Sequence, residues 1–211
     1  MIEKMTQDRT QKTIENILEA ATEQFARKGY EGARVDEIAR QASVNKASLY
    51  YHFVDKSGLY EQVLIRALGG LSLRITDNIK QATTHRERLR AFILTLGNNI
   101  ETSPHLAAIL SRAITDTGGK LPDPIIKQIM QIFGVLFCII EEGQADGRFR
   151  PVNPLVVYNL IVGGLIHYRA GEKIQTQINS LGEKVFERKL EDPFDVAIGQ
   201  VSEIILNSLQ T

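Results

Sequence analysis

The sequence has no tryptophan, a single cysteine (Cys138) and no excess of either charge: Lys plus Arg is 25 and Asp plus Glu is 25 in 211 residues. One cysteine excludes an internal disulfide framework and any metal site built from several thiolates, and it fits a reducing compartment. Zero net charge removes any global field that would draw nucleic acid or an acidic membrane surface. Long apolar runs are missing as well. The longest uncharged stretch, Pro151 to Tyr168, contains Asn153, Pro154, Asn159 and His167, a poor beginning for a bilayer-spanning helix of about 20 apolar residues. The first residues include Glu3, Lys4, Asp8 and Arg9, unlike the apolar segment of a signal peptide. A soluble, cytoplasmic protein that does not engage membranes is expected. Alternating strand patterns, internal repeats and low-complexity segments are also absent, while 43% apolar and 24% charged residues suit a globular core.

What is present is helical periodicity, and the expected fold is all-α. Ile14, Ile17, Leu18, Ala21 and Phe25 share a helix face that ends at Arg27, Lys28 and Gly29, cations followed by a residue tolerant of positive φ. Val35, Ile38, Ala39 and Ala42 mark a second, short helix and residues 46–52 a third. A long fourth is expected from Lys56 towards Ala82, with Gly69-Gly70 inside it allowing close helix contact. Two more are expected from about Arg86 to Glu101 and from about Pro104 to Thr115. Asp123-Pro124, Asn153-Pro154 and Asp192-Pro193 each place a capping side chain before a proline that needs no N–H partner. Ile129 to Ile140 is apolar all round, which predicts a helix covered on every side, with Cys138 as an inert core thiol. Loops are expected at Asp116–Leu121 and Gly143–Val152, and the pattern of Gly171–Glu191 assigns no element.

The segment that carries chemistry is Val35 to Lys56, VDEIARQASVNKASLYYHFVDK. Two short helices flank the turn Ser43-Val44-Asn45, with Asn45 placed to cap the second. Leu49 and Phe53 fall one turn apart on its inner side, and Lys46, Ala47, Ser48, Tyr50, Tyr51 and His52 occupy the rest. Hydroxyls, an imidazole and an ammonium are donors for phosphate oxygens, and small residues at the helix start permit approach to base edges in a major groove. No carboxylate lies between Asn45 and Val54 to repel a duplex, although acids and bases balance over residues 1–56. On pattern alone, a DNA-reading helix and an aromatic-rich helical corner stand level.

Residues from about Gln11 to Leu64 resemble the DNA-binding domain of the tetracycline-repressor (TetR) family of bacterial regulators. The resemblance is carried by Phe25…Gly29-Tyr30, Val35…Ile38-Ala39, Ala42…Val44, Leu49-Tyr50-Tyr51-His52-Phe53, and Lys56 with Leu59. The sequence departs at Ser43 and Ala47, where the family often has glycine. The resemblance implies that Lys46, Ala47 and Ser48 approach bases or nearby phosphates. It implies that Tyr50, Tyr51 and His52 contact the backbone and neighbouring thymine methyls, and that Lys56 reaches a phosphate. Arg34 lies near the family's contact at the start of the second helix. Tyr30, Leu49 and Phe53 fit core positions.

The same resemblance divides the chain into a DNA-binding domain, 1–57, and an effector-binding and dimerisation domain, 58–211. It implies a homodimeric repressor on a palindromic double-stranded operator, released by a small, mainly apolar effector. Effector-pocket candidates are Phe92, Leu96, Ile100, His105, Leu110, Ile114, Phe133, Phe137, His167 and Tyr168, apolar walls with a few polar ends. The dimer is expected on the helices beginning at Pro154 (Leu155, Val156, Leu160, Ile161, Leu165) and Pro193 (Phe194, Ala197, Ile198, Val201, Ile205), with Gly163-Gly164 permitting close approach. The alternative is a helical protein-interaction bundle with a degenerate helix-turn-helix. Catalysis is not expected, and neither a cofactor nor a metal: His52, His85, His105 and His167 lack metal-ligand spacing, and the paired glycines lack a phosphate loop's context.

Overall fold

The computed structural model describes residues 2–103, 105–116, 121–187 and 192–210. Eleven helices follow one another among these: α1 (Ile2–Gly32), α2 (Val35–Gln41), α3 (Lys46–His52), α4 (Lys56–Leu68), α5 (Leu71–Lys80), α6 (His85–Thr102), α7 (Leu106–Asp116), α8 (Asp123–Ala145), α9 (Pro154–Ala170), α10 (Glu172–Phe186) and α11 (Phe194–Leu209). No strand forms among the described residues; an isolated antiparallel bridge joins Phe149 and Gln210. The helices group into two compact units, Met1–Gly69 with Ala108–Ile126, and Gly70–Ala107 with Lys127–Thr211.

In the first unit, the apolar face of α1 buries Ile17, Ala21 and Phe25 with Ile38 and Ala39 of α2 and Leu59, Tyr60 and Val63 of α4. Gly29 leaves helical geometry within α1 (φ 71°, ψ 176°), where the cations on the preceding turn led a stop to be expected. Beyond it, Tyr30 packs against Phe25 and Tyr60, with ring centroids 6.2 and 5.0 Å apart. The guanidinium of Arg112, on α7, donates to the Ala26 carbonyl at 3.1 Å.

The expected long fourth helix is two. Gly69 takes φ −55° and ψ 127°, and Gly70 is left-handed at φ 70°, so helical hydrogen bonding stops after Leu68. The pair breaks the helix instead of serving close packing inside it. A Cβ on Gly69 would meet the Ile65 carbonyl oxygen at 2.8 Å, so the bend is open only to glycine.

In the second unit, α5 and α6 pack through Ile75, Ile79, Leu89, Phe92 and Ile93. A capping box starts α6: the Thr84 side chain accepts from the Glu87 amide, and the Glu87 carboxylate accepts from the Thr84 amide. The Glu87 carboxylate also accepts from the Thr83 hydroxyl, the largest of the contacts that pull its pKa down to about 2. Helices α9 and α11 pack on α6 and on each other. Asn153 caps α9 as expected, accepting from the Leu155 amide. Asp192 does not cap α11; Pro193 holds the cap position, and the Asp192 carboxylate accepts from Gln200 instead. Asp123 lies inside α8 rather than before it.

Three expectations about covered surfaces are corrected. Helix α8 is not enclosed: Met130 and Phe137 are exposed, and so is Cys138, which is therefore no core thiol. Its length and composition would suit a membrane span, but an all-round apolar sequence does not supply neighbours enough to cover it. The Phe194 stripe serves the intrachain core, since Ala197, Ile198 and Ile205 are buried, as are Ile161 and Leu165 of α9. The apolar side chains left outside on these two helices are Leu155, Val156, Leu160, Val196 and Ile204. A Cβ on Gly163 or Gly164 would meet nothing within 4 Å. The unassigned Gly171–Glu191 segment contains α10, whose Ile174, Ile178, Leu181 and Val185 form an exposed stripe; residues 188–191 lie outside the described residues.

Candidate nucleic-acid interface

The turn between α2 and α3 is built from backbone. The Ser43 amide donates to the Arg40 carbonyl at 3.2 Å and the Val44 amide to Ala39 at 2.9 Å. Ser43 sits at φ 56°, so it takes the left-handed conformation that glycine adopts at least cost. Asn45 then caps α3, its side-chain oxygen accepting from the Ser48 amide at 2.7 Å. Asp55 caps α4 in the same way, accepting from Gly58 at 2.7 Å.

These caps fix the rotation of α3. Leu49 is fully buried and Phe53 nearly so, which anchors one side of the helix in the core. The opposite side presents Lys46, Ala47, Tyr50 and Tyr51, the last 86% exposed, with Ser48 and His52 half-buried beside them. The Tyr51 and His52 rings meet edge to face at 5.1 Å. Val54, which sequence reasoning passed over, is 88% exposed just past the helix. Arg34 occupies the cap position of α2 and is exposed. The face thus carries donors and small residues on a rigid support, the arrangement needed to meet phosphates and base edges.

Two cations are not simply free. The Lys56 ammonium lies 4.7 Å over the Tyr30 ring and donates to the Glu31 carbonyl at 3.2 Å, which ties the start of α4 to the end of α1. The Lys46 ammonium lies 2.8 Å from the Asp36 carboxylate of α2. Its hydrogen bond and ion pair with Asp36 raise the Lys46 pKa above the usual lysine value. The absence of carboxylates along α3 therefore does not leave the face without one. Residues ten apart across a turn are brought together only by the crossing of the two helices, so no spacing rule would find Asp36. Glu37, its neighbour, is held below the usual carboxylate range by its hydrogen bond from Lys28.

The residues expected around an effector are dispersed. Phe92, Leu96 and Ile100 are buried along α6, while His105, His167 and Phe137 are exposed. Phe133 packs against Phe137 and Tyr158, with centroids 6.0 and 5.4 Å away, and burial pushes the Tyr158 hydroxyl pKa up to about 12. Leu110 is half-buried in the first unit. The side chain of Ile114 lies outside the described residues. A polar hollow of about 210 Å³ in the second unit includes Tyr168 with Glu101, Arg169 and Glu172; the Tyr168 hydroxyl donates to the Asp192 carbonyl at 2.6 Å. Among the described residues, no group of three or more His, Cys, Asp or Glu side chains is placed to hold a metal ion.

Residues 17–63 match the bacterial regulatory proteins of the tetR family. Over 118 residues the chain is 35% identical to the HTH-type transcriptional activator FasR of Mycolicibacterium smegmatis, covering 47% of this chain and 54% of that protein. Over 48 residues it is 46% identical to IcaR of Staphylococcus aureus, the HTH-type negative transcriptional regulator of the biofilm operon icaADBC, covering 23% of this chain and 26% of that one. The chain thus spans about half of the first relative and about a quarter of the second. The crystal structure of the transcriptional regulator FadR from Bacillus subtilis in complex with stearoyl-CoA superposes with a TM-score of 0.67 over 92% of this chain and 97% of that one, at 19% identity, and shares its fold. Residues 17–63, which include the helix-turn-helix, thus carry the match to the tetR family of bacterial regulatory proteins.

Proposed function

We propose that this chain is a homodimeric, sequence-specific DNA-binding transcriptional regulator, a repressor and not an enzyme, that works in the cytoplasm. The observation that carries this reading is the orientation of α3. Burial of Leu49 and Phe53 turns Lys46, Ala47, Tyr50 and Tyr51 outward together, and Ser48, His52, Asn45, Arg34 and Lys56 border them. One such helix reads only a few base pairs. Specificity then requires two copies on a pseudo-palindrome, with half-sites about 34 Å apart or a multiple of that. Repression is the simplest result of such a complex, because a dimer seated on the duplex excludes other proteins from it. Selection from random duplexes should return an inverted repeat bound by a dimer. Recovery of a non-palindromic sequence bound by a monomer would refute the proposal.

Dimerisation is assigned to the outer faces of α9 and α11, opposite those packed on α6. Leu155, Val156, Leu160, Val196 and Ile204 supply the apolar surface, and the open space at Gly163 and Gly164 admits a second backbone. The regulatory part of the chain is taken to begin after residue 57. A small, mainly apolar effector is proposed to bind beside α8, supported by its incompletely covered Phe133 and Phe137. To release the operator, the effector must favour the non-binding conformer by a few kcal/mol. A thermal-shift screen of metabolites and hydrophobic drugs, followed by operator-release assays on each hit, tests this part. Stabilising compounds that leave DNA affinity untouched would remove it.

A further inference from the structure

Lys46 is the first residue of α3, and its ammonium lies 2.8 Å from the Asp36 carboxylate on α2. The two side chains are 51% and 72% exposed, so the pair sits in water and adds little to folding stability. Glu37, beside Asp36 in the chain, pairs with Lys28, and Asp55 caps α4. Asp36 instead directs its carboxylate to the Lys46 ammonium.

We infer that Asp36 is a specificity-determining residue, its carboxylate standing in for a backbone phosphate at Lys46 and thereby suppressing sequence-independent binding. The inference rests on the DNA-binding reading above. Sequence-independent affinity comes almost wholly from phosphates neutralised by Lys and Arg. A lysine already neutralised by a carboxylate adds no net charge to the binding face. To reach a phosphate it must exchange one oxyanion for another, and the released Asp36 then faces the polyanion. A base edge sets different terms. The ammonium has three donors, so Lys46 can keep one on Asp36 and direct another to an acceptor such as guanine O6 or N7. The ion pair therefore favours base over phosphate at this position.

Binding of a random-sequence duplex and of an operator recovered by selection, each measured by anisotropy across a salt series, tests the inference. Asp36→Asn should bind the random duplex about fivefold more tightly at low salt, with a salt slope steeper by about one unit. Its operator affinity should change less, so that the specificity ratio falls. Asp36→Glu should restore wild-type values, since it returns the carboxylate. In a Lys46→Met background the gain from Asp36→Asn should disappear. An unchanged salt slope in Asp36→Asn, or an undiminished gain without Lys46, overturns the inference and leaves the DNA-binding reading standing. A wild-type protein that binds no duplex at any salt concentration overturns that reading and the inference with it.

Discussion

Leu160 and Ile161 are neighbours on α9 with opposite expected roles. Leu160 is 58% exposed and Ile161 is fully buried. Truncating Ile161 to Ala removes core contacts and leaves a cavity, an expected loss of about 3 kcal/mol. In a protein of this size that lowers the melting temperature by about 6–12 °C, with the oligomer affected only through the loss of fold. Leu160→Glu should leave the fold of a single chain intact and act on association. Leu155, Val156, Leu160, Val196 and Ile204 are each 42–66% exposed. Covering what remains of each contributes about 1 kcal/mol, so a symmetric pair gains about 10 kcal/mol from all of them. That is of the order of the entropic cost of association, and so each side chain weighs on the balance. Removing Leu160 from both copies forfeits about 2 kcal/mol, and desolvating two carboxylates costs several more. The dissociation constant should therefore rise about a thousandfold or more. Sedimentation velocity and thermal unfolding, measured on both variants, check this. A Leu160→Glu protein that remains dimeric at low micromolar concentration, or one that melts like Ile161→Ala, would refute the assignment of this face.

Lys56→Ala and Tyr50→Phe should weaken binding almost equally across sequences, because phosphates carry no sequence information, and Lys56→Ala should reduce the salt slope by about one unit. Lys46→Ala and Ser48→Ala should instead change the ranking of operators in a competition assay. Glu87 has a folded pKa of about 2 against a usual 4.5, so its capping contribution is complete above pH 4.5 and is lost as the pH falls towards 2; melting curves of Glu87→Gln across that window should be flatter than those of the wild type. A Cβ at Gly143 would lie 2.3 Å from Cδ2 of Phe149, so Gly143→Ala should cost about 2 kcal/mol through overpacking, read as a lower melting temperature and partly relieved by Phe149→Leu.

The helices themselves were legible from the chain. Apolar residues three and four apart, Asn45 before Lys46 and Asn153 before Pro154 are local signals, and local signals decide where helices begin and which face is apolar. The interface side chains on α3 were legible for the same reason: one helix carries them, and its own period separates Leu49 and Phe53 from Tyr50 and Tyr51. Hydrophobic pattern does not record how much cover a face receives. Ile161 and Leu160, or Ala197 and Val196, look alike in sequence, and only the packing of α9 and α11 on α6 buried the first of each pair and left the second outside. The exposure of Cys138 and α8 has the same ground, since an apolar helix is buried only if neighbours reach it. The break at Gly69-Gly70 depended on backbone angles that two glycines permit but do not dictate. The Asp36–Lys46 pair depended on the crossing of α2 over α3, because electrostatic contacts form between elements whose separation is set by packing and not by distance along the chain.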